Sequence, residues 1–122
     1  MYTISDIISD IDRGCIANNM TENRFSYRII FFVNENGKGT KYYIDSKYGD
    51  LRGALESIIR EHLSVTNNIV IAETTALKGG KCISLLSRSY AFSLEEYFRQ
   101  IYGRCKSDIG NRNITYGRYA VQ

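Results

Sequence analysis

The chain has 122 residues, with 16 lysines and arginines against 13 acidic residues, 43% hydrophobic residues, and neither proline nor tryptophan. A chain of this length forms one domain and can bury about two-thirds of its unfolded surface, so a core is feasible without disulfides or a structural metal. No stretch approaches the roughly 18 consecutive apolar residues of a membrane-spanning helix. The acidic N-terminus lacks the basic and apolar regions of an export signal. We therefore expect a single cytosolic domain, residues 1–122.

Three cysteines and one histidine limit the chemistry that the chain can perform. Cys15, Cys82 and Cys105 are odd in number and form no C-x-x-C pair, which argues against a disulfide framework and a zinc site. Cys-His catalysis would require His62 to meet one of these thiols, and no local motif supports that pairing. We predict free thiols, no metal and no cofactor.

The first residues predict a short amphipathic helix. Four isoleucines recur at helical spacing and form its apolar stripe: Ile4, Ile7, Ile8 and Ile11. Asp6, Asp10 and Asp12 are expected on the opposite, solvent-facing side, and the pattern ends near Gly14. Residues 17–23 have no period and many turn formers, which predicts a loop.

A β-hairpin and a helix are predicted next. Residues 25–33 and 40–45 are rich in aromatic and β-branched side chains, and they flank Asn36-Gly37, which favours a turn with positive φ. Asp50 then precedes a helix as its predicted N-cap, with a carboxylate that accepts hydrogen bonds from the amides of the first turn. The core-facing stripe of this helix consists of Leu51, Leu55, Ile58, Ile59 and Leu63.

The same order of elements then repeats. Residues 68–77 and 82–92 predict two strands joined by a tight turn, and Ser93 with Glu96 predicts a capping box at the start of a further helix. The apolar stripe of that helix consists of Leu94, Tyr97, Phe98, Ile101 and Tyr102. Because each helix has one apolar side, this ββα-ββα order predicts an α+β domain. Its antiparallel sheet has about four strands with helices on one face, besides the short N-terminal helix.

The first strand is apolar on both of its faces. One face packs on the helices, and the other, with Ile30 and Phe32 beside Arg28, needs a cover. We expect that cover to be the N-terminal helix or another subunit, and therefore predict a homo-oligomer, a dimer unit or higher. An unpaired guanidinium within an apolar strand is costly, so Arg28 should meet an acid such as Asp45 or a phosphate.

The two ends of the chain differ in charge. Residues 1–23 carry four acidic side chains and one basic, whereas residues 99–122 carry five basic and one acidic. These ends could attract each other within an oligomer or form solvated faces. Four of the five C-terminal cations are arginines, interleaved with tyrosines. Since arginine binds phosphate oxygens in pairs and an aromatic ring stacks on a base, this end predicts a nucleotide site.

The last residues, 107–122, contain glycines and asparagines that permit tight bends. We expect one of three structures for them: a flap that closes over a ligand, a terminal strand, or a frayed tail. Asparagines here can read base edges or ribose hydroxyls, arginines can hold phosphates and a tyrosine can cover a base. The side chains concerned are Asn111, Arg112, Asn113, Tyr116 and Arg118.

Several segments resemble the first described family of Thoeris anti-defence sponge proteins of phages and prophages. These are residues 27–32 (Tyr-Arg-Ile-Ile-Phe-Phe), residues 93–98 (Ser-Leu-Glu-Glu-Tyr-Phe) and residues 111–113 (Asn-Arg-Asn), together with chain length and the order of hairpins and helices. The resemblance implies a non-catalytic protein, oligomeric through a dimer unit, in the cytoplasm of the infected bacterial host. Such a protein sequesters a cyclic ADP-ribose isomer made by a TIR-domain enzyme, and the family also holds other cyclic nucleotide signals.

The ligand that this resemblance implies completes the candidate site. An adenine, two riboses and a pyrophosphate require a stacking surface, hydroxyl readers and cationic forks, and residues 90–119 supply each. Hydrolysis would require a general base, and the sequence has no histidine cluster, paired metal-binding carboxylates or phosphate-binding glycine loop, so no catalytic residue is assigned. The ligand-binding candidates are Arg28, Tyr90, Phe92, Asn111, Arg112, Asn113, Tyr116 and Arg118.

Two other functional classes stay open. The basic end and small size also fit a phage-encoded inhibitor of a protein or nucleic-acid target in another defence system, with nucleic acid the less favoured partner. Binding to a nucleic acid would weaken steeply with salt. An enzyme with Cys82 or Tyr116 as nucleophile is the least favoured, because no base is placed beside either residue.

Overall fold

The computed structural model of the protein describes residues 2–20 and 25–95. Its elements are α1 (Ile4–Ala17), β1 (Ser26–Glu35), β2 (Lys38–Lys47), α2 (Leu51–His62), β3 (Asn67–Lys78), β4 (Lys81–Ser84) and β5 (Tyr90–Phe92). The strands form an open antiparallel sheet in the order β2-β1-β3-β4, and β5 also pairs with β3. The predicted α+β class is confirmed.

The first hairpin forms where the sequence predicts it. Asn36 and Gly37 both have positive φ, 52° and 81°, as a two-residue turn that matches the twist of its strands requires. β1 and β2 pair without a register shift from Glu35 opposite Lys38 to Ser26 opposite Lys47. Each strand is longer than its apolar pattern indicates, because backbone pairing continues through the polar residues beside the turn.

Both helices pack on the same face of the sheet. Alternate residues of β1 are buried beneath them, and so are Ile69, Ile71, Thr74 and Ala76 of β3, whose alternation is interrupted by a bulge at Ala72. Cys15 of α1 contacts the hydroxyl of Tyr27 on β1. The centre of the core consists of Ile7, Ile11, Tyr27, Ile29, Leu51, Leu55, Ile58, Ile69 and Ile71. The N-terminal helix therefore does not cover the other face of the sheet, which was one of the two expected arrangements.

α1 extends past its predicted end. Thr3 and Asp6 form a capping box at its start, and the helix continues through Gly14 to Ala17. A Cβ atom on Gly14 would lie 2.3 Å from the carbonyl oxygen of Leu85, so the glycine allows the helix to touch that backbone. Asp10, expected to face solvent, is 2% exposed and faces this contact. The expected position of Asp10 is wrong because the loop of residues 85–89, between β4 and β5, covers it.

The strand predicted over residues 82–92 is interrupted. β4 pairs with β3 at Thr75–Lys78 and β5 pairs with it at Ile69–Ile71, and residues 85–89 belong to neither strand. The Leu85 N–H still donates to the carbonyl oxygen of Thr74 on β3 at 2.8 Å, and the Leu85 backbone lies against Gly14 of α1. The prediction of one continuous strand is wrong because the chain leaves the sheet after Leu85, where Ser87 bonds to Asp10 of α1.

The capping predicted for α2 is absent, although its boundaries agree with the prediction. Residues Tyr48–Asp50 form a 3-10 turn that leads into the helix, and the Asp50 carboxylate makes no capping hydrogen bond. The φ and ψ of Asp50, −102° and 1°, differ from the extended backbone of most N-caps, and this directs its side chain away from the free amides.

The further helix predicted from Ser93 lies mostly outside the described residues. Leu94 and Glu95 are helical, and the predicted helix beyond them, from residue 96, and residues 107–122 fall outside.

Candidate functional site

The structure describes three of the eight predicted ligand-binding residues. Asn111, Arg112, Asn113, Tyr116 and Arg118 lie outside the described residues. Arg28 and Tyr90 point to opposite faces of the sheet. Tyr90 pairs with Ile71, which pairs with Phe31, and all three face the helices, whereas Arg28 lies three residues before Phe31 on β1 and faces away.

Tyr90 and Phe92 belong to the core. They are 2% and 4% exposed, because β5 pairs with β3 in a register that directs both rings to the face of the sheet that the helices cover. The Tyr2 ring packs edge-on against Tyr90 with 5.0 Å between the centroids. So little ring surface remains that we assign these two aromatic residues to packing within the described residues.

Asp10 is the centre of a polar cluster that the sequence did not reveal. Its Oδ2 accepts hydrogen bonds from the Tyr90 hydroxyl at 2.7 Å and from the backbone N–H and the Oγ of Ser87, both at 3.0 Å. Arg13 lies 3.6 Å from its Oδ1. Burial alone would raise the pKa of Asp10, but these donors and Arg13 outweigh it and hold the pKa below its ordinary value. The carboxylate is therefore ionised, and it ties the loop of residues 85–89 to α1.

Arg28 forms a two-pronged ion pair with Asp45. Its Nε donates to Oδ1 at 2.8 Å and its Nη2 to Oδ2 at 3.1 Å, and its guanidinium lies 4.1 Å from the centroid of the Tyr43 ring. The hydrogen bond from Arg28 is the main cause that lowers the pKa of Asp45. Both side chains are about half exposed, at 49% and 51%. The predicted pairing of Arg28 with an acid is confirmed.

The face of the sheet opposite the helices carries Arg28 and three exposed large apolar side chains, Phe32, Tyr43 and Leu77; we call it the open face. Its described apolar and aromatic side chains include Ile30, Phe32, Tyr43 and Leu77, the last 66% exposed. A cavity of about 290 Å³ opens beside the ion pair and is lined in part by Thr75, Leu77 and Cys82. A guanidinium beside an apolar wall suits a ligand that has both an anionic and a flat apolar part.

A second and larger cavity lies between the end of β2 and the outer side of α2; we call it the α2 groove. Its volume is about 880 Å³, and its lining side chains carry both signs of charge, with Lys47 and Arg60 opposed by Asp50 and Glu56. Ser26 and Asp45 line both cavities, so the two adjoin at the start of β1. Asp45 therefore borders two spaces, and a ligand that engages Arg28 can extend into either.

The described residues offer neither a metal-binding cluster nor a helix that could cross a membrane. Within residues 2–20 and 25–95, no three His, Cys, Asp or Glu side chains are placed to hold a metal ion. None of the helices in that part of the chain combines the length and apolar character needed to cross a membrane. Comparison of the chain with protein families, with curated proteins and with solved structures gave no match.

Proposed function

We propose that the protein binds a cyclic ADP-ribose-type nucleotide and holds it without turning it over, so that the signal does not reach its effector in bacterial Thoeris immunity. The observation that carries the proposal is the alternation of amide, guanidinium and phenol side chains in residues 111–119. These three side-chain types together match the hydroxyls, phosphates and base of such a ligand.

The ion pair on the open face supports the proposal from the described residues. A guanidinium has five N–H donors, and Asp45 takes one from Nε and one from Nη2 of Arg28. The remaining donors are available to a phosphate oxygen because the Arg28 side chain is half exposed. The Tyr43 ring beside it is 61% exposed, which adds an aromatic surface next to the cation.

The affinity that sequestration requires sets a condition on the site. To compete with a receptor, the protein needs a Kd near 1 nM, about −12 kcal/mol, and this requires that most of the ligand surface be enclosed. Both described cavities are open to solvent on one side. We therefore propose that residues 107–122 or a second subunit of a homo-oligomer completes the enclosure.

A capture experiment tests this function. The purified protein is incubated with cyclic ADP-ribose isomers, separated from free ligand and denatured by heat, and the released nucleotide is identified by mass spectrometry. We expect the intact ligand in a fixed ratio to protein. A hydrolysed product would show an enzyme, and no captured nucleotide would refute the proposal.

Two variants distinguish a role of the Arg28 guanidinium in ligand binding from a role of the Arg28–Asp45 ion pair. Arg28→Ala should lower capture, whereas Asp45→Asn should retain it, because the asparagine variant leaves the Arg28 donors available to phosphate. Arg52→Ala is the matched control, an exposed arginine on α2 that contacts Ser5 and lines neither cavity. Equal losses in the Arg28 and Asp45 variants would show that the ion pair itself, rather than its cation, matters.

The basic C-terminal end is the observation that favours the second candidate, an inhibitor of a protein or nucleic-acid target. Salt dependence distinguishes the two candidates. Affinity for a nucleic acid falls steeply with ionic strength because many phosphate contacts release counterions, whereas a small enclosed ligand gives a shallow slope. A steep slope with RNA or DNA, or stable capture of one target protein, would favour the inhibitor.

A further inference from the structure

The outer edge of β2 has no strand paired to it among residues 2–20 and 25–95, because β2 ends the strand order. It is ten residues long, contains no proline, and pairs with β1 without a bulge. The opposite edge of the sheet differs, since β4 and β5 are four and three residues long and a loop interrupts them. Proteins protect sheet edges by shortening or interrupting the edge strand and by placing lysines on it. One edge here is protected by short strands, whereas β2 keeps a long and regular edge whose lysines are accompanied by an acid, Asp45.

The turn determines which backbone groups of β2 point outward. A two-residue turn is closed by a hydrogen-bonded pair, here Glu35 with Lys38, and hydrogen-bonded pairs then alternate along the hairpin. Every second residue of β2 from Lys38 to Ser46 therefore bonds to β1. The residues between them direct both N–H and C=O to the free edge: Gly39, Lys41, Tyr43, Asp45 and Lys47.

We infer that two copies of this chain pair edge to edge through β2, antiparallel, with Tyr43 opposite Tyr43 of the partner subunit. This register uses all five outward residues of each copy. It places Lys41 opposite Asp45 of the partner subunit, and the two-fold axis repeats that pair of opposite charges on the other side of Tyr43. Opposite charges in directly facing positions stabilise a strand pair.

The neighbouring registers are less favourable. Residues of β2 that point outward can pair only with residues that point outward, so the neighbouring registers are shifted by two residues in either direction. A shift in one direction places Lys41 opposite Lys47 of the partner subunit, where like charges repel. A shift in the other direction places Lys47 against the hairpin turn and loses one pair of residues. The charge pattern of β2 is thus self-complementary in one register, as an interface with two-fold symmetry requires.

The packing around β2 also fits a second copy. The side chains of Lys41, Tyr43 and Asp45 lie on the open face, because Asp45 is opposite Arg28 there. Pairing therefore joins the open faces of the two copies into one surface and brings the exposed Tyr43 ring beside its equivalent. The pairing depends on backbone and β2 side chains only, and it requires no nucleotide, so it stands or falls independently of the proposed function.

Disulfide trapping tests the register. In a Cys82→Ser, Cys105→Ser background, Tyr43→Cys should form a disulfide-linked dimer. The reason is that Cα atoms in a hydrogen-bonded pair lie about 5.5 Å apart, within the range of roughly 4.4–6.8 Å for disulfides. Lys41→Cys and Asp45→Cys are the matched controls. Each is about 13 Å from its own equivalent, four residues along the strand, so neither should cross-link alone, whereas a mixture of the two should.

Analytical ultracentrifugation tests the interface without cross-linking. The wild-type protein should sediment at twice 14.0 kDa or a multiple of that dimer mass. Tyr43→Pro removes an outward N–H and no bond to β1, so it should keep its circular dichroism spectrum and lose the dimer contact. Tyr43→Thr keeps the N–H and should retain dimers.

Each contrary result is decisive. A monomeric wild-type protein, or a dimer whose mass Tyr43→Pro leaves unchanged, would overturn the inference. Slow amide exchange at Lys41 and Tyr43 in a monomer would show that another segment of the chain occupies the edge. If Tyr43→Pro does not fold, the disulfide cross-linking of the three cysteine variants tests the inference instead. Cross-linking of Lys41→Cys alone would exclude this register.

Discussion

Asp10 shows how one side chain can connect three parts of this chain. It lies on α1, and its carboxylate accepts hydrogen bonds from Ser87 in the loop and Tyr90 on β5, 77 and 80 residues away. The side chain is buried, so its charge is tolerated only because these donors and Arg13 surround it. Its removal leaves the Tyr90 hydroxyl and a backbone amide without a partner.

The first prediction concerns Asp10 and pH. Its pKa lies below the ordinary value of 3.8 in the folded protein, so its contribution to stability is present above that value and is lost as pH falls below about 4. Asp10→Asn should remove this part of the acid sensitivity, and Asp10→Ala should lower the free energy of unfolding by about 2–3 kcal/mol at neutral pH because it leaves buried donors unpaired.

Urea denaturation at several pH values measures both effects. The pKa of Asp45 is also lowered, so Asp45→Asn is the control that separates the two carboxylates. An Asp10→Asn profile parallel to the wild type would contradict the assignment.

At the scale of elements, α1 is joined to the rest of the chain by tyrosine hydroxyls. Tyr90 donates to Asp10, Tyr48 donates to Asp12, and Tyr27 contacts the Cys15 thiol. Asp10 and Asp12 flank the isoleucine stripe of α1 on opposite sides, and Cys15 continues that stripe. The helix is therefore positioned by polar contacts as well as by its isoleucines.

The second prediction is that alkaline pH releases α1. The hydrogen bond to Asp12, with burial, raises the pKa of Tyr48 to about 12, and burial with the bond to Asp10 raises the pKa of Tyr90 to about 12. Burial likewise raises the pKa of Tyr27. Because the folded pKa values are higher than those of free tyrosine, their contribution is complete below pH 10 and is lost as pH rises towards 12.

Tyrosinate absorbance and circular dichroism during an alkaline titration measure this release. Cooperative ionisation that coincides with loss of helix is expected. Tyr48→Phe should remove one of the ionisations and reduce the pH dependence of unfolding. Ionisation of all tyrosines near pH 10 without a change in the fold would be inconsistent with this account.

The third prediction compares two helical glycines. Gly14→Ala places a Cβ against the Leu85 backbone, which cannot move aside as a side chain can, and should cost about 1–3 kcal/mol of stability. Gly53→Ala in α2 meets nothing within 4 Å and should stabilise the protein by about 1 kcal/mol, because alanine favours a helix.

Thermal or urea unfolding of both variants gives the comparison. The opposite signs are the specific expectation, since helix propensity alone predicts a gain at both positions. A gain in stability for Gly14→Ala would mean that α1 does not touch the loop of residues 85–89.

At the scale of the whole molecule, the fold separates the packed core from the open face of the sheet. The helices occupy one face, with Tyr90 and Phe92 beneath them, while Arg28 and the cavity of about 290 Å³ beside it lie on the open face. Of the three described candidates for ligand binding, Arg28 therefore lies outside the core that stabilises the chain, whereas Tyr90 and Phe92 lie within it. Substitution of a ligand-binding residue and substitution of a core residue should have different effects.

The fourth prediction applies that separation. Arg112→Ala or Arg118→Ala should weaken nucleotide capture roughly 10- to 100-fold, the value of a charged hydrogen bond, with little change in the Tm of the unliganded protein. Ile58→Ala should instead lower the free energy of unfolding by about 2–5 kcal/mol because it opens a cavity in the core.

Thermal shift with and without ligand measures both properties together. Ligand at a roughly 1,000-fold excess over Kd should stabilise the wild type by about 4 kcal/mol, and the arginine variants by less. A large loss of Tm in the unliganded arginine variants would show that these side chains are structural.

The sequence by itself determined the elements whose cause is local. Asn36-Gly37 set the hairpin, and with it the facing positions of Arg28 and Asp45, because the register of a hairpin follows from its turn. Periodicity likewise located α2 and most of α1. Only the tertiary structure decided that Asp10 is buried and that β4 and β5 separate. It also decided that Tyr90 and Phe92 lie in the core, since these depend on contacts between residues far apart in the chain, which a local pattern does not specify.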